Sequence, residues 1–241
     1  MGTPVSGGLV MGILLMASFL GSALAQSLEG VVIEVQEVIL EEAEPGIEPY
    51  QTRMLLWGRQ LRMDNDGGAD GYLIFDADID RILSVAHGDQ SIVKLQPHEW
   101  MRQPEISKLV VKRKQLQMKD APKVANITPT FNQLVVDEQS CQTTVSVDGF
   151  LHEFVPVMQQ YNRLLALDSY QRLGQVPDEF QTGCYLSNFI YFLDEAWKYG
   201  FPINHKTLEG VTKRLVSFGT KSVSARLFDV PAGYRVYEPG S

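Results

Sequence analysis

Six aspartates fall within the seventeen residues of "DNDGGADGYLIFDADID" (64–80): Asp64, Asp66, Asp70, Asp76, Asp78 and Asp80. Carboxylates at alternate positions open many calcium loops, and carboxylates held close together exchange protons in acid–base catalysis. A calcium loop of the EF-hand kind takes ligands at positions one, three and five, glycine at six and a bidentate glutamate at twelve. Counted from Asp76, position six is Arg81 and position twelve is His87. Counted from Asp64, position five is Gly68 and position six is Ala69. Neither register supplies the ligand set. The stretch reads instead as two polar turns, 64–71 and 76–80, flanking the strand "YLIF", because Asp, Asn and Gly suit tight turns. Weak adventitious calcium binding is the competing reading.

The other chemistry-bearing residues are scattered. His87, His98, His152 and His205 show neither H-x-x-x-H nor H-E-x-x-H spacing, so no metal ligand is assigned. The chain has no G-x-S-x-G, no glycine-rich phosphate loop and no C-x-x-C pair. No catalytic residue and no cofactor is assigned, and the expectation is a non-enzymatic protein. A carboxylate-dependent hydrolase stays open as an alternative, because glycoside hydrolysis depends on carboxyl separation in space. Cys141 and Cys184 are the two cysteines of the chain. In an exported protein two cysteines pair, closing a loop of about 44 residues worth roughly 3–4 kcal/mol.

Compartment and partners follow from the ends and the charge. "LVMGILLMASFLGSALA" is an uncharged apolar run ending in Ala23-Leu24-Ala25, which reads as a secretory signal (1–25) cleaved after Ala25, with export to a bacterial periplasm. The run is short for a membrane span, and no cysteine follows it to carry a lipid anchor, so no integral membrane protein is expected once the signal is removed. The net charge of −8 lies in residues 26–241, which argues against nucleic acid as a partner. One local reversal is "KLVVKRKQLQMKDAPK" (108–123), with Lys108, Lys112, Arg113, Lys114, Lys119 and Lys123 against a single Asp120. It suits an anionic lipid headgroup or acidic partner, or a solvated face balancing the acidic "EVILEEAEPGIE".

The elements that position these residues are legible from hydrophobic period. Residues 30–145 carry strand signals. "GVVIEVQEVIL" places Val31, Ile33 and Val35 on one face, Gly58 follows Trp57 as a turn, and "GYLIFD", "RILSVA" and "SIVKL" follow at hairpin spacing. Between 149 and 200 the period becomes helical. A first helix through Leu151, Phe154, Met158, Tyr161 and Leu165 stops near Gly174, and a second runs from about Pro177 to Gly200. Strands return over 207–237, with a hairpin expected around Gly219-Thr220 and Leu215 and Val223 in the core. The fold class is α+β. One domain, 26–241, forms a curved antiparallel sheet or unclosed β-barrel, and two helices inserted before the last strands cover its concave face.

The segment "RMLLWGRQLRMDNDGGADGYLIFDADIDRILSVAHGDQSIVKLQP" and the closing "LFDVPAGYRVY" resemble small exported bacterial proteins of unknown function. These are similar in turn to the periplasmic outer-membrane lipoprotein carriers, the LolA/LolB-like superfamily. The resemblance covers most of 30–97 and 207–237. It implies an unclosed barrel whose helix-covered cavity takes acyl chains. The functional expectation is a periplasmic binding protein for an apolar, lipid-like ligand or the acyl chain of a lipidated partner, with Phe189, Phe192 and Trp197 lining the cavity. The alternative is an envelope structural or protein-interaction module with a solid core and an envelope protein as partner.

Overall fold

The computed structural model describes residues 29–41, 48–97 and 109–238. The expected signal, with its cleavage point after Ala25, lies outside the described residues, as do His98 and Lys108. Among the described residues twelve strands form one open sheet. β1 (Glu29–Glu41) precedes the meander β2 (Tyr50–Trp57), β3 (Gln60–Asn65), β4 (Gly71–Asp76), β5 (Arg81–Ala86) and β6 (Ser91–Leu95). β7 (Val111–Gln117), β8 (Thr130–Val136) and β9 (Gln139–Val147) follow. The helices α1 (Phe154–Gln171) and α2 (Gly183–Leu186) come next, then β10 (Phe201–Thr207), β11 (Val211–Ser224) and β12 (Arg235–Tyr237). The spatial order is β12-β6-β5-β4-β3-β2-β1-β11-β10-β9-β8-β7. Neighbouring strands are antiparallel except β12, which lies parallel to β6. The architecture is the expected unclosed antiparallel sheet, with its helices inserted ahead of the last strands.

Strand alternation builds the concave core. Val35, Met54, Leu56, Leu61, Phe75, Ile82 and Leu95 form one apolar cluster with Phe154, Val157 and Met158 of α1. Pro156 sits in the first turn of α1, where an N–H would have no intrahelical partner in any case. The β2–β3 hairpin turns at Gly58, whose φ of +57° suits a residue without a side chain.

The convex face has its own cover, a strap formed by residues 225–238. Arg62 Nη1 donates to the Leu227 carbonyl at 2.5 Å, and the Tyr72 hydroxyl donates to the Asp229 carbonyl at 2.7 Å. Phe228 packs on Trp57, Tyr234 hydrogen-bonds His87 at 2.9 Å, and the strap ends as β12. Beneath it Asp64, whose side chain is fully buried, binds Arg53 through two 2.9 Å hydrogen bonds and Arg62 through one of 2.7 Å. Arg62 also lies 3.7 Å over the Tyr72 ring.

The aspartate stretch therefore divides. Asp64 is a buried counter-ion within β3 rather than a turn residue. Turns do form over 66–70 and 77–80, and in the second Asp76 accepts the Asp78 amide and Asp78 pairs with exposed Arg59.

Two segments differ from the sequence reading. No hairpin forms at Gly219-Thr220, because β11 runs through both residues and pairs them with Glu34 and Ile33 of β1. The long partner strand outweighs the local turn signal. Leu215 packs against the core as expected, whereas Val223 is half-buried at the strand end. The second helix is also not continuous. It breaks into Asp178–Phe180, α2, a wide turn at Ser187–Tyr191 and Glu195–Trp197. The disulfide Cys141–Cys184 ties this stretch to β9. The Asn188 amide donates to the Cys141 carbonyl and the Gln142 amide donates to the Phe192 carbonyl, so side chains take carbonyls that either a regular helix or the strand would use.

Replacing Asp64 with alanine leaves two guanidiniums without their counter-charge, one of them almost fully buried. The expected loss is about 3–5 kcal/mol in urea unfolding, whereas Asp78→Ala at the exposed Arg59 pair costs about 0.5 kcal/mol or less. Reducing the disulfide lowers stability by roughly 2–4 kcal/mol in the same assay.

Candidate functional site

A cavity of about 230 Å³ opens between α1 and the concave face where β1, β2, β3, β10 and β11 meet. Its walls are mainly apolar: Ile39, Met54 and Met63 from the sheet, Met158 and Leu165 from α1, and Leu193 and Trp197 from the segment after α2. Helical spacing delivers the α1 residues, since Met158, Tyr161, Asn162 and Leu165 recur three or four apart.

Polar side chains enter from the floor through strand register. Ile39 pairs with Lys213, Lys213 with His205, and His205 with Thr144, which gives one row across four strands. Two bulges set that row. The extra residue Val216 in β11 brings Leu215 opposite Glu37, and the extra residue Ile203 in β10 places Pro202 and His205 on one face. His205 Nδ1 lies 3.0 Å from Thr144 Oγ1. Burial and then the Lys213 ammonium hold the His205 imidazole well below its usual range, at about 4, so it is neutral at pH 7. Burial raises the Glu37 carboxyl above its ordinary value, opposed by the charge of Lys213. Tyr161 is pushed up to about 12 by burial.

Of the three residues expected to line the cavity, Trp197 does so, with its ring edge-on to Phe201 at 5.2 Å. Phe192 packs in a separate cluster with Leu134, Val136 and the disulfide, beneath the Arg113 guanidinium. Phe189 is 41% exposed and stacks on Tyr185. Arg113 also binds Glu195 through two hydrogen bonds of 2.7 and 3.1 Å, so one cation of the basic segment anchors the helical stretch to β7.

Sequence reasoning alone does not reach Glu37, Tyr161, Asn162, His205 and Lys213 as a group. A signal exists for Glu37, which holds the next inward position in the series Ile33, Val35, Glu37, Ile39. None exists for His205, because a bulge decides its face. Among the described residues no group of three or more His, Cys, Asp or Glu side chains is placed to hold a metal ion. No helix among them is long and apolar enough to cross a membrane.

No protein-family model matches the chain, and no curated protein matches it. Among solved structures it is similar to an uncharacterized conserved protein from Thermus thermophilus, at 6% identity over 88% of this chain and 92% of that one, with a TM-score of 0.41. It is also similar to PNGF-II in two crystal forms, at 9% and 8% identity over 87% and 86% of this chain. The TM-scores there are 0.40 and 0.39, and the chain spans 31% of the length of PNGF-II.

The buried imidazole makes a signed prediction. A histidine with a depressed folded value contributes stability above its unfolded value of 6.5 and loses it as pH falls toward about 4. Glu37, raised in the folded state, works in the opposite direction, with its contribution present at low pH and lost as pH rises. In a Glu37→Gln background, lowering pH from 7 to 5 is expected to cost about 2 kcal/mol more with His205 present than with His205→Gln. Urea unfolding at the two pH values measures the difference.

Proposed function

We propose that the protein is a non-enzymatic binding protein of the bacterial periplasm that holds an apolar, lipid-like ligand, or the acyl chain of a lipidated partner, in the cavity beneath α1. The observation that carries this reading is the apolar cavity itself, walled by three methionines, a leucine pair and Trp197. Methionine is unbranched and adaptable, so such walls repack around a flexible chain. Each methylene removed from water contributes about 0.8 kcal/mol.

Two further features support the setting. The disulfide suits an oxidising compartment, and the apolar N-terminal run reads as an export signal. Acyl-chain binding is also what the resemblance to the LolA/LolB-like carriers implies. At about 230 Å³ the cavity lies below the roughly 300–1,000 Å³ of drug-sized pockets, so it suits a short chain or the end of a longer one. Among the described residues Glu37 is the one acidic side chain lining it.

Gently purified protein is expected to carry a small apolar ligand in native mass spectrometry and to bind a fluorescent fatty acid. Met158→Trp, which fills the cavity from α1, should weaken the probe by about tenfold or more while the far-ultraviolet circular dichroism is kept. Protein that is consistently ligand-free and ignores the probe sinks the proposal and favours the envelope interaction module.

A further inference from the structure

Three polar side chains line the cavity beside its apolar walls: Glu37, Tyr161 and Asn162. Glu37 and Asn162 are only 7% and 8% exposed. They come from opposite walls, Glu37 from β1 and Asn162 from α1, and Tyr161 lies beside Asn162. Buried polar groups are costly unless paired, and native proteins leave few of them unpaired. Here all three border a mainly apolar space, where a ligand's polar head can pair with them while its chain takes the apolar wall.

The charges decide what kind of head fits. The titratable groups facing the cavity are Glu37, Lys213, His205 and Tyr161. His205 and Tyr161 are neutral at pH 7 for the reasons given above. The charge of Lys213 acts on both Glu37 and His205. A cationic head meets a like charge in Lys213, and an anionic head meets its like charge at the Glu37 carboxylate, so neither sign matches the pair as a whole. A hydroxyl group, which both donates and accepts, can serve the carboxyl, the phenol and the amide in turn.

Resting on the ligand-binding reading above, we infer that the ligand is a single-chain amphiphile with an uncharged, hydroxyl-bearing head, seated against Glu37, Tyr161 and Asn162, its chain lying along the methionine wall.

The test compares three probes of matched chain length, below their micelle concentrations, by calorimetry on the full chain after export: 1-decanoylglycerol, decanoate and decylamine. The glycerol ester is expected to bind about tenfold or more tightly than either charged probe, the scale of one well-made polar contact. Glu37→Leu removes the acceptor while suiting a buried strand position, and it should weaken the glycerol ester about tenfold without weakening decanoate. Tyr161→Phe keeps the ring against Phe75 and should weaken the same probe about threefold. Thermal unfolding of each variant separates a lost contact from a lost fold. If decanoate or decylamine binds as tightly as the ester, or if Glu37→Leu folds and leaves the ester unchanged, the head-group inference is overturned while ligand binding stands. If none of the three probes binds the unmodified protein, the binding reading itself falls and takes this inference with it.

Discussion

The pairing of β1 with β11 is the constraint on which the rest of the molecule depends. It runs from Glu29 against Ser224 to Glu41 against Val211, joining residues nearly two hundred positions apart. On one side of it lies the meander β2–β6, and on the other the strands β7–β10. Without this ladder the two halves would be separate small sheets, each with an apolar face to hide. With it they become one open sheet whose curvature leaves a concave side for α1. The single bulge at Val216 falls in the middle of the ladder, where an extra residue sharpens twist and bend.

Covering the two faces calls for different chemistry. The concave face is closed by ordinary apolar packing, in which Phe154, Val157 and Met158 of α1 meet Val35, Leu61 and Phe75. That packing is non-directional, so it tolerates a cavity at one end. The convex face is closed by directional contacts, with Arg62 and Tyr72 holding backbone carbonyls of the strap and Asp64 holding Arg53 and Arg62. An aspartate between two arginines costs desolvation, and it persists because all its partners are in place. The disulfide adds a third closure by pinning the broken helical stretch to β9.

The cavity sits where two kinds of surface meet. Toward β2–β6 the concave face is apolar, as Met54, Leu56, Leu61 and Phe75 show. Toward β8–β10 it carries Asn132, Gln142, Thr144 and His205, all at least half-buried. A cavity with both apolar and polar lining arises at such a border without any dedicated motif, which explains why no short sequence signature marks it.

Much of the architecture was legible from residue order. "GYLIFD", "RILSVA" and "SIVKL" coincide with β4, β5 and β6, and the switch from period two to period three or four located α1. These are local properties of the chain, settled by which side chains can share one buried face. The pairing of Cys141 with Cys184 followed from their number and the expected compartment. Tertiary structure alone decided the role of Asp64, whose partner Arg53 lies on the neighbouring strand and whose second partner, Arg62, is held by the distant strap. It alone extended β11 through Gly219-Thr220, broke the second helix, and moved Phe189 and Phe192 away from the cavity. It also assembled Glu37, Tyr161, Asn162, His205 and Lys213 from four separate elements. Alternation shows which residues of a strand share a face. Which faces meet, and where a bulge changes the parity, depends on long-range pairing that no local pattern encodes.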